Sequence, residues 1–333
     1  MSGGMVDMVN DFRCLLCGIT DTPHLVQARV TGDTGGNLRA VRCPDCSHVQ
    51  LSPPTYDLDL YRHDGQVNFV VEQYGTPIET LFEHSAIEAG RRVARFAVHS
   101  APIVRFDGGR ARLLDVGGGY GFFGSAMTRL RPDVETLVLE PSAGRVETGR
   151  RYFTTRADCD VPAPAFEIGL PDDAFVTKNR NRYDIVTLWH VLEHVDDPMA
   201  LMARAGALVR PDGGSLWIEV PNLHDDLAEL SPAYRHRSFM REHVSYFSAD
   251  ILERMARTLF PQARVEVSGY QRYGIFNYCH WIQHNAPQGA KPDMFERDRW
   301  WLETSWRTAR EAARTSDALL LVVRFGDELG AGA

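Results

Sequence analysis

From residue 112 onward the chain alternates short apolar runs with helix-length segments, and few architectures accept that order. RLLDVG, TLVLEP, YDIVTLWH and SLWIEVPN read as strands, while GFFGSAMTRLR, AGRVETGRRYF and DDPMALMARAGALV between them read as helices. A strand followed by a helical crossover returns beside its neighbour in parallel, so the series predicts an α/β fold with a doubly wound, mostly parallel sheet. ADILERMARTLF adds a helix, RVEVSGYQRY and DALLLVVRF two more strands, and ERDRWWLETSWRTAREAAR a helical insertion spanning about 274–316. A third strand, completing seven, belongs within 154–180, where Pro162, Pro164 and Pro171 obscure it and any adenine-contacting side chain beside it.

Ahead of this series stand two Cys-x-x-Cys pairs, Cys14/Cys17 and Cys43/Cys46. Each tight turn presents two thiolates, and four thiolates close a tetrahedral shell around a borderline-soft ion such as zinc. A closed four-sulfur shell leaves no position for water or substrate, so the expected role is structural. The intervening stretch, with short β-rich runs and a Gly-rich turn, reads as a ribbon too small to hold itself without metal. His48, two residues past Cys46, is expected to face solvent rather than to act as a fifth ligand. Residues 56–110 follow Pro53 and Pro54 and carry helical periodicity through Ile78, Leu81, Phe82, Ala86, Ala89, Val93 and Phe96, as a connector or lid. The expected organisation is a zinc ribbon at 1–55, a helical connector at 56–110 and the α/β domain at 111–333.

Charge narrows the partners. The 333 residues carry 36 Lys+Arg against 44 Asp+Glu, a net of −8, which argues against a broad surface for nucleic acid. Only Lys178 and Lys291 supply amines, so covalent lysine chemistry has few candidates. No segment approaches the roughly 20 apolar residues of a spanning helix, and the start lacks an apolar leader, so a cytoplasmic protein without membrane contact is expected.

The chemistry gathers after the strand RLLDV. Gly119-x-Gly121-x-x-Gly124 is a dinucleotide fingerprint, weak alone. Asp115, two residues before Gly117, selects among cofactors: a strand-end carboxylate facing the ligand would repel a pyrophosphate and suit a cation. Glu140 ends the next strand, 19 residues past Gly121, where a carboxylate can accept both hydroxyls of a ribose. A merely structural turn, with Asp115 capping the helix, and a nicotinamide site are the alternatives.

The spacing Asp115-x-Gly117-x-Gly119-x-Gly121 resembles motif I of the class I methyltransferases that use S-adenosylmethionine, whose sheet is Rossmann-like. YDIVTLWHVLEHVDDP and RPDGGSLWIEVPN resemble the segments that follow it, extending the likeness over 111–222. It implies S-adenosylmethionine as cofactor, held by Asp115, Gly117, Gly119, Gly121, Glu140 and, through backbone, Trp189. Together with the four cysteines, the run Arg241-Glu242-His243-Val244-Ser245-Tyr246-Phe247-Ser248 resembles the zinc-ribbon sugar C-methyltransferases. That family methylates a ring carbon of a nucleotide-linked keto-deoxysugar. Its general base corresponds to His243, with Glu242 beside it, and a further histidine corresponds to His194. Two features depart from the family: its tyrosine two residues before the glutamate is Met240 here, and only GDELGAGA follows the last strand.

Carbon methylation beside a ketone needs a base to make an enolate and donors to hold its oxygen. Glu242, His243 and Tyr246 lie within five residues before a helix start at Ser248. His190 and His194, four apart, do not form His-Glu-x-x-His, so a zincin site is not expected. Tyr56, Tyr61 and Tyr74 are candidate lid hydroxyls, and Arg272 either grips a diphosphate or forms an ion pair. An O-methyltransferase would use His243 on a hydroxyl instead. An RNA methyltransferase or a non-catalytic adaptor fits less well: neither Cys159 nor Cys279 follows a proline, and the cofactor residues are intact.

Overall fold

A computed structural model describes residues 12–54, 78–99, 110–155, 163–288 and 300–326. Tyr56, Tyr61, Tyr74 and Cys159 lie outside the described residues, as does most of the connector.

Seven strands form the main sheet: β4 (Ala111–Val116), β5 (Val134–Glu140), β6 (Ala165–Ile168), β7 (Ile185–Trp189), β8 (Ser215–Pro221), β10 (Arg264–Tyr270) and β11 (Ala318–Arg324). Their order is β10-β11-β8-β7-β4-β5-β6; β4 through β8 run parallel, and β11 pairs antiparallel with both β8 and β10. Successive connections leave β4 toward β5 and β6, then jump back to β7 on its other side. That reversal opens a crevice at the carboxyl ends of β4, β5 and β7, where ligands bind in doubly wound sheets. The strands are buried on both faces, and their near-continuous apolar runs follow from that. The third strand is β6, its lead-in marked by Pro164 and its end by Pro171 two residues beyond Gly169.

Helices cover both faces. Leu201, Met202, Ala205 and Leu208 of Pro198–Leu208 and Ile251, Leu252, Met255 and Ala256 of Ala249–Leu259 bury one side. Ala89, Val93 and Phe96 of Ile78–His99 join Phe122, Phe123 and Met127 on the other, with Phe96 4.8 Å from Trp217. The described part of the expected lid is therefore a layer of the core, because its apolar stripe is buried against the sheet. Ile275–His284 and Trp300–Ala313 form the expected insertion between β10 and β11. Among the described residues no helix is long and apolar enough to cross a membrane.

The amino-terminal ribbon forms a second sheet from β1 (His24–Gln27), β2 (Arg39–Arg42), β3 (Val49–Ser52) and β9 (Ser245–Tyr246), all antiparallel. Its fourth strand, β9, comes from the α/β domain and begins 193 residues after the end of β3. Its small core likewise joins Val30, Leu38, Ala40, Val49 and Leu51 to Phe239 and Tyr246.

Candidate active site

The turn after β4 is set by backbone conformation: Gly117, Gly119 and Gly121 have φ of 67°, 57° and 83°. These are left-handed values that side chains disfavour. A Cβ on Gly121 would stand 2.5 Å from the ring of Phe166, whereas one on Gly119 would meet nothing within 4 Å. Gly119 thus borders open space, and the helix Phe122–Leu130 starts immediately beyond. The Gly117 amide donates to Leu139 O (2.7 Å), and the Gly119 amide to Glu140 Oε2 (2.9 Å), tying the loop to the end of β5.

A crevice opens beside this loop, between the ends of β4, β5 and β6 and the turn after β7. Val116, Leu139, Val191, Val195 and Leu201 make its apolar wall, and Glu140, Arg145, His190 and His194 supply polar groups. An apolar wall, a carboxylate at the end of β5 and a side-chain-free loop fit a nucleoside with a cationic group.

The sequence-selected cofactor residues divide by position. Gly117 and Glu140 line the crevice. Glu140 already accepts from Gly119 and, through Oε1, from the Ser142 amide (3.1 Å), which fixes its carboxylate plane. Asp115 does not face the ligand space as expected. It lies beneath the glycine loop, fully buried, accepting from Thr187 Oγ1 at 2.7 Å, because its position on β4 turns the side chain into the sheet. Burial pushes its carboxyl up to about 7 despite that bond. The Trp189 side chain leaves by the opposite face of the sheet, packing edge-on against Phe123 at 4.9 Å, with the Arg92 guanidinium 5.2 Å from its ring centre. Trp189 is not among the residues that line the crevice.

The histidines form the polar end. His194 Nδ1 donates to the Glu242 carbonyl (2.7 Å), which leaves Nε2 as the acceptor of the neutral ring. The His243 ring stands edge-on at 4.9 Å from the His194 ring, one ring further from the cofactor crevice. One ligand-type atom from each of Glu193, His194 and His243 falls within 4.8 Å of the others. Burial, reinforced by His194, pushes His243 down to about 3, so it is neutral near pH 7. Its Nδ1 is buried with no hydrogen-bond partner among the described residues. Burial opposes ionisation of Glu193, yet the bond from His190 Nδ1 (2.9 Å) and the charge of His190 hold it at about 2.

His190 takes a left-handed φ of 57° and bridges two buried acids, with Nε2 2.8 Å from Glu219 Oε1. Glu219 is in turn bonded to Arg92 Nη2 (2.8 Å). Sequence reasoning passed over His190, Glu193 and Glu219 as actors; the spacing of His190 and Glu193 across one short turn was the available signal. The carboxyl of Glu242 is buried and its pKa raised, so this residue acts on His194 through its carbonyl. Tyr246 is corrected from polar actor to scaffold, since its buried hydroxyl donates to Met240 O at 3.0 Å. Arg272 forms the ion pair, binding Asp317 at 2.7 Å.

In the ribbon, Cys14 Sγ lies 3.4 Å from Cys46 Sγ and Cys17 Sγ 3.6 Å from Cys43 Sγ, and all four sulfurs fall within 4.8 Å of one another. A tetrahedral shell with bonds of about 2.3 Å has sulfur–sulfur edges of about 3.8 Å, so the donor set fits one ion. His48 is fully buried, contrary to expectation, because β3 carries it against the α/β domain, where Nε2 is 3.2 Å from Ser245 Oγ.

Among known proteins, the chain is 31% identical over 112 residues to a ubiquinone biosynthesis O-methyltransferase of Xanthomonas campestris pv. campestris, covering 34% of this chain and 44% of that protein. To the protein so named from Bordetella avium it is 32% identical over 102 residues, covering 31% and 39%. The chain thus spans less than half the length of these curated relatives. A chain from the Haloferax volcanii complex between the Trm112 methyltransferase activator and a methyltransferase aligns with a TM-score of 0.48 at 16% identity, covering 82% of this chain and 99% of that one. A family described as a methyltransferase domain matches residues 83–259, more than half of the sequence. With the strand order and the glycine loop already described, this match makes the chain a member of the methyltransferase-domain family, of the S-adenosylmethionine-dependent class.

Proposed function

We propose that the protein methylates a small molecule from S-adenosylmethionine, with His243 removing the proton from the acceptor atom. The carrying observation is His243 itself: a neutral imidazole with a buried, unpartnered nitrogen, edge-on to His194 and beside an ionised Glu193. A base must be unprotonated at working pH and must be stabilised once it takes up the proton. Burial supplies the first condition, and the Glu193 carboxylate works toward the second, favouring the imidazolium against the burial that disfavours it. His194, its Nδ1–H fixed on the Glu242 carbonyl, keeps its Nε2 free of a proton and orients beside His243.

Glu140 would hold the cofactor's ribose, the glycine loop its amino-acid portion, and Gly169, Leu170 and Pro171 after β6 border the adenine side. When bound, S-adenosylmethionine supplies an electrophilic methyl on a positive sulfur. Asp115, buried under the loop, supports the loop's shape. Cys14, Cys17, Cys43 and Cys46 would hold a structural zinc, which needs their deprotonated sulfurs and supplies fold rather than reaction chemistry.

The resemblance stated from the sequence favours a carbon beside the ketone of a nucleotide-activated deoxysugar as the acceptor. A hydroxyl oxygen is the second reading, favoured by the O-methyltransferase name of the 31%-identical relative. Solvent deuterium exchange separates them. The protein is incubated in heavy water with a panel of nucleotide-linked 4-keto-deoxysugars, without cofactor, and substrate mass is followed. Deuterium uptake that requires His243 supports carbon methylation; an exchange-silent panel, with methyl transfer to a hydroxyl substrate, supports the second reading.

A further inference from the structure

We infer that the four-cysteine module is the clamp that positions His243, so that metal binding in the ribbon sets the geometry of the base without altering the glycine loop and the strands β4 and β5 that carry it. This rests on the reading of His243 given above. The segment carrying Glu242 and His243 is secured to the ribbon on both sides. Before it, the Thr31 amide donates to Phe239 O (2.7 Å), the Arg241 amide to Thr31 O (3.0 Å), and Thr31 Oγ1 to His236 O (2.8 Å). After it, the Leu51 amide donates to Val244 O (2.9 Å), and β9 pairs with β3 through Gln50 opposite Ser245 and Val49 opposite Tyr246. Between these anchors runs a turn of four residues closed by the His243 amide on Met240 O (3.1 Å).

The anchors lead to the cysteines by short paths. Gln50 Oε1 accepts from the Leu15 amide (2.8 Å), and its Nε2 donates to Arg13 O (3.0 Å), so the residue opposite Ser245 also grips the first cysteine turn. The Cys43 amide donates to His48 O (2.8 Å), and Arg254 donates to Cys46 O across to the α/β domain. Few apolar side chains hold these strands together, and two of the buried ones, Phe239 and Tyr246, belong to the histidine segment. A ribbon of this size depends on its metal for order. Losing the ion therefore releases both anchors at once. The glycine loop and its strands stand apart: β4, β5 and β7 pair only within the seven-stranded sheet, and the crevice meets the histidine segment through His194, whose Nδ1 donates to the Glu242 carbonyl. The ribbon residues are positioning residues; His243 is the group that would touch substrate.

The test compares the zinc-loaded full-length protein with the same chain stripped by a chelator, reading amide hydrogen exchange by peptide and S-adenosylhomocysteine affinity by calorimetry. Exchange in 239–247 is expected to accelerate at least about tenfold on metal removal, with 111–140 unchanged and affinity kept within about threefold. Undiminished protection of 239–247 overturns the inference, and so does equal loss of protection in 111–140. A milder variant, Ser245→Ala in zinc-loaded protein, removes the partner of His48. It is expected to raise exchange in 239–247 at full zinc content; unchanged exchange there counts against the clamp. If instead His243→Ala leaves turnover intact while exchange responds as expected, the assignment of the base fails and the clamp stands.

Discussion

The glycine loop at 117–121, which borders the crevice, and the histidine segment at 240–246, which stands behind His194 at its edge, are placed by opposite routes. The loop is made by its own residues: three left-handed glycines, one strand before them and one helix after. Its hydrogen bonds run to the adjacent strand β5, and its shape follows from local conformational preference. The histidine segment has almost no structure of its own beyond a two-residue strand and a tight turn. Partners nearly two hundred residues away in sequence hold it. A binding site written locally survives changes elsewhere, whereas a base placed by distant contacts inherits the stability of what holds it.

The strongest way to break this contrast is at the loop. Gly121→Val puts a branched side chain at φ 83° with its Cβ 2.5 Å from Phe166. Affinity for S-adenosylhomocysteine is expected to fall by about a hundredfold or more, and stability by about 3 kcal/mol, from strain and clash together. Gly119→Ala is the matched comparison for stability, since its Cβ meets no protein atom within 4 Å; thermal melts should show conformational strain without clash, about 1 kcal/mol.

Glu193→Gln tests the other region. Removing the carboxylate charge beside His243 is expected to lower kcat about tenfold to a hundredfold, with cofactor affinity held, as a group that stabilises only the imidazolium should. An equal loss in KM for both substrates would assign Glu193 to binding instead.

Protonation sharpens the comparison further. His243 is held near 3 in the folded protein against about 6.5 unfolded, so the unfolded chain takes up the extra proton as pH falls from 7 toward 3. Stability contributed by the neutral ring is full above about 6.5 and is lost as pH falls. Replacement by Gln should therefore reduce the loss of stability between pH 7 and pH 5 by on the order of 1 kcal/mol in denaturant titrations. The smallest effect expected is from Glu140→Gln on stability, within about 1 kcal/mol. Its affinity loss, about tenfold, is larger because one of its two amide bonds or a ribose bond goes unmade.

The same difference governs what the sequence revealed. Six of the seven main strands and the helices between them were legible from apolar runs and glycine punctuation, because those signals act over a few residues. β6 was not, since Pro162, Pro164 and Pro171 surround a strand of only four residues. Asp115 is read from the sequence as a strand-end carboxylate facing the cofactor; it does sit near the end of β4, but its side chain is buried against Thr187 and does not line the crevice. His48 was expected in solvent and is buried, because the surface that covers it, at Ser245, is contributed by a remote segment. His190, Glu193 and Glu219 could not be joined from spacing, since His190 follows β7 while Glu219 lies within β8, and they meet only in the folded sheet.

The central claim is that His243 acts on the acceptor and not on the cofactor or the fold. Turnover and S-adenosylhomocysteine affinity measured side by side in His243→Ala test it most directly. The account predicts turnover reduced by about 10²–10⁴-fold with affinity unchanged. Turnover and affinity falling together, or turnover left intact, would contradict it.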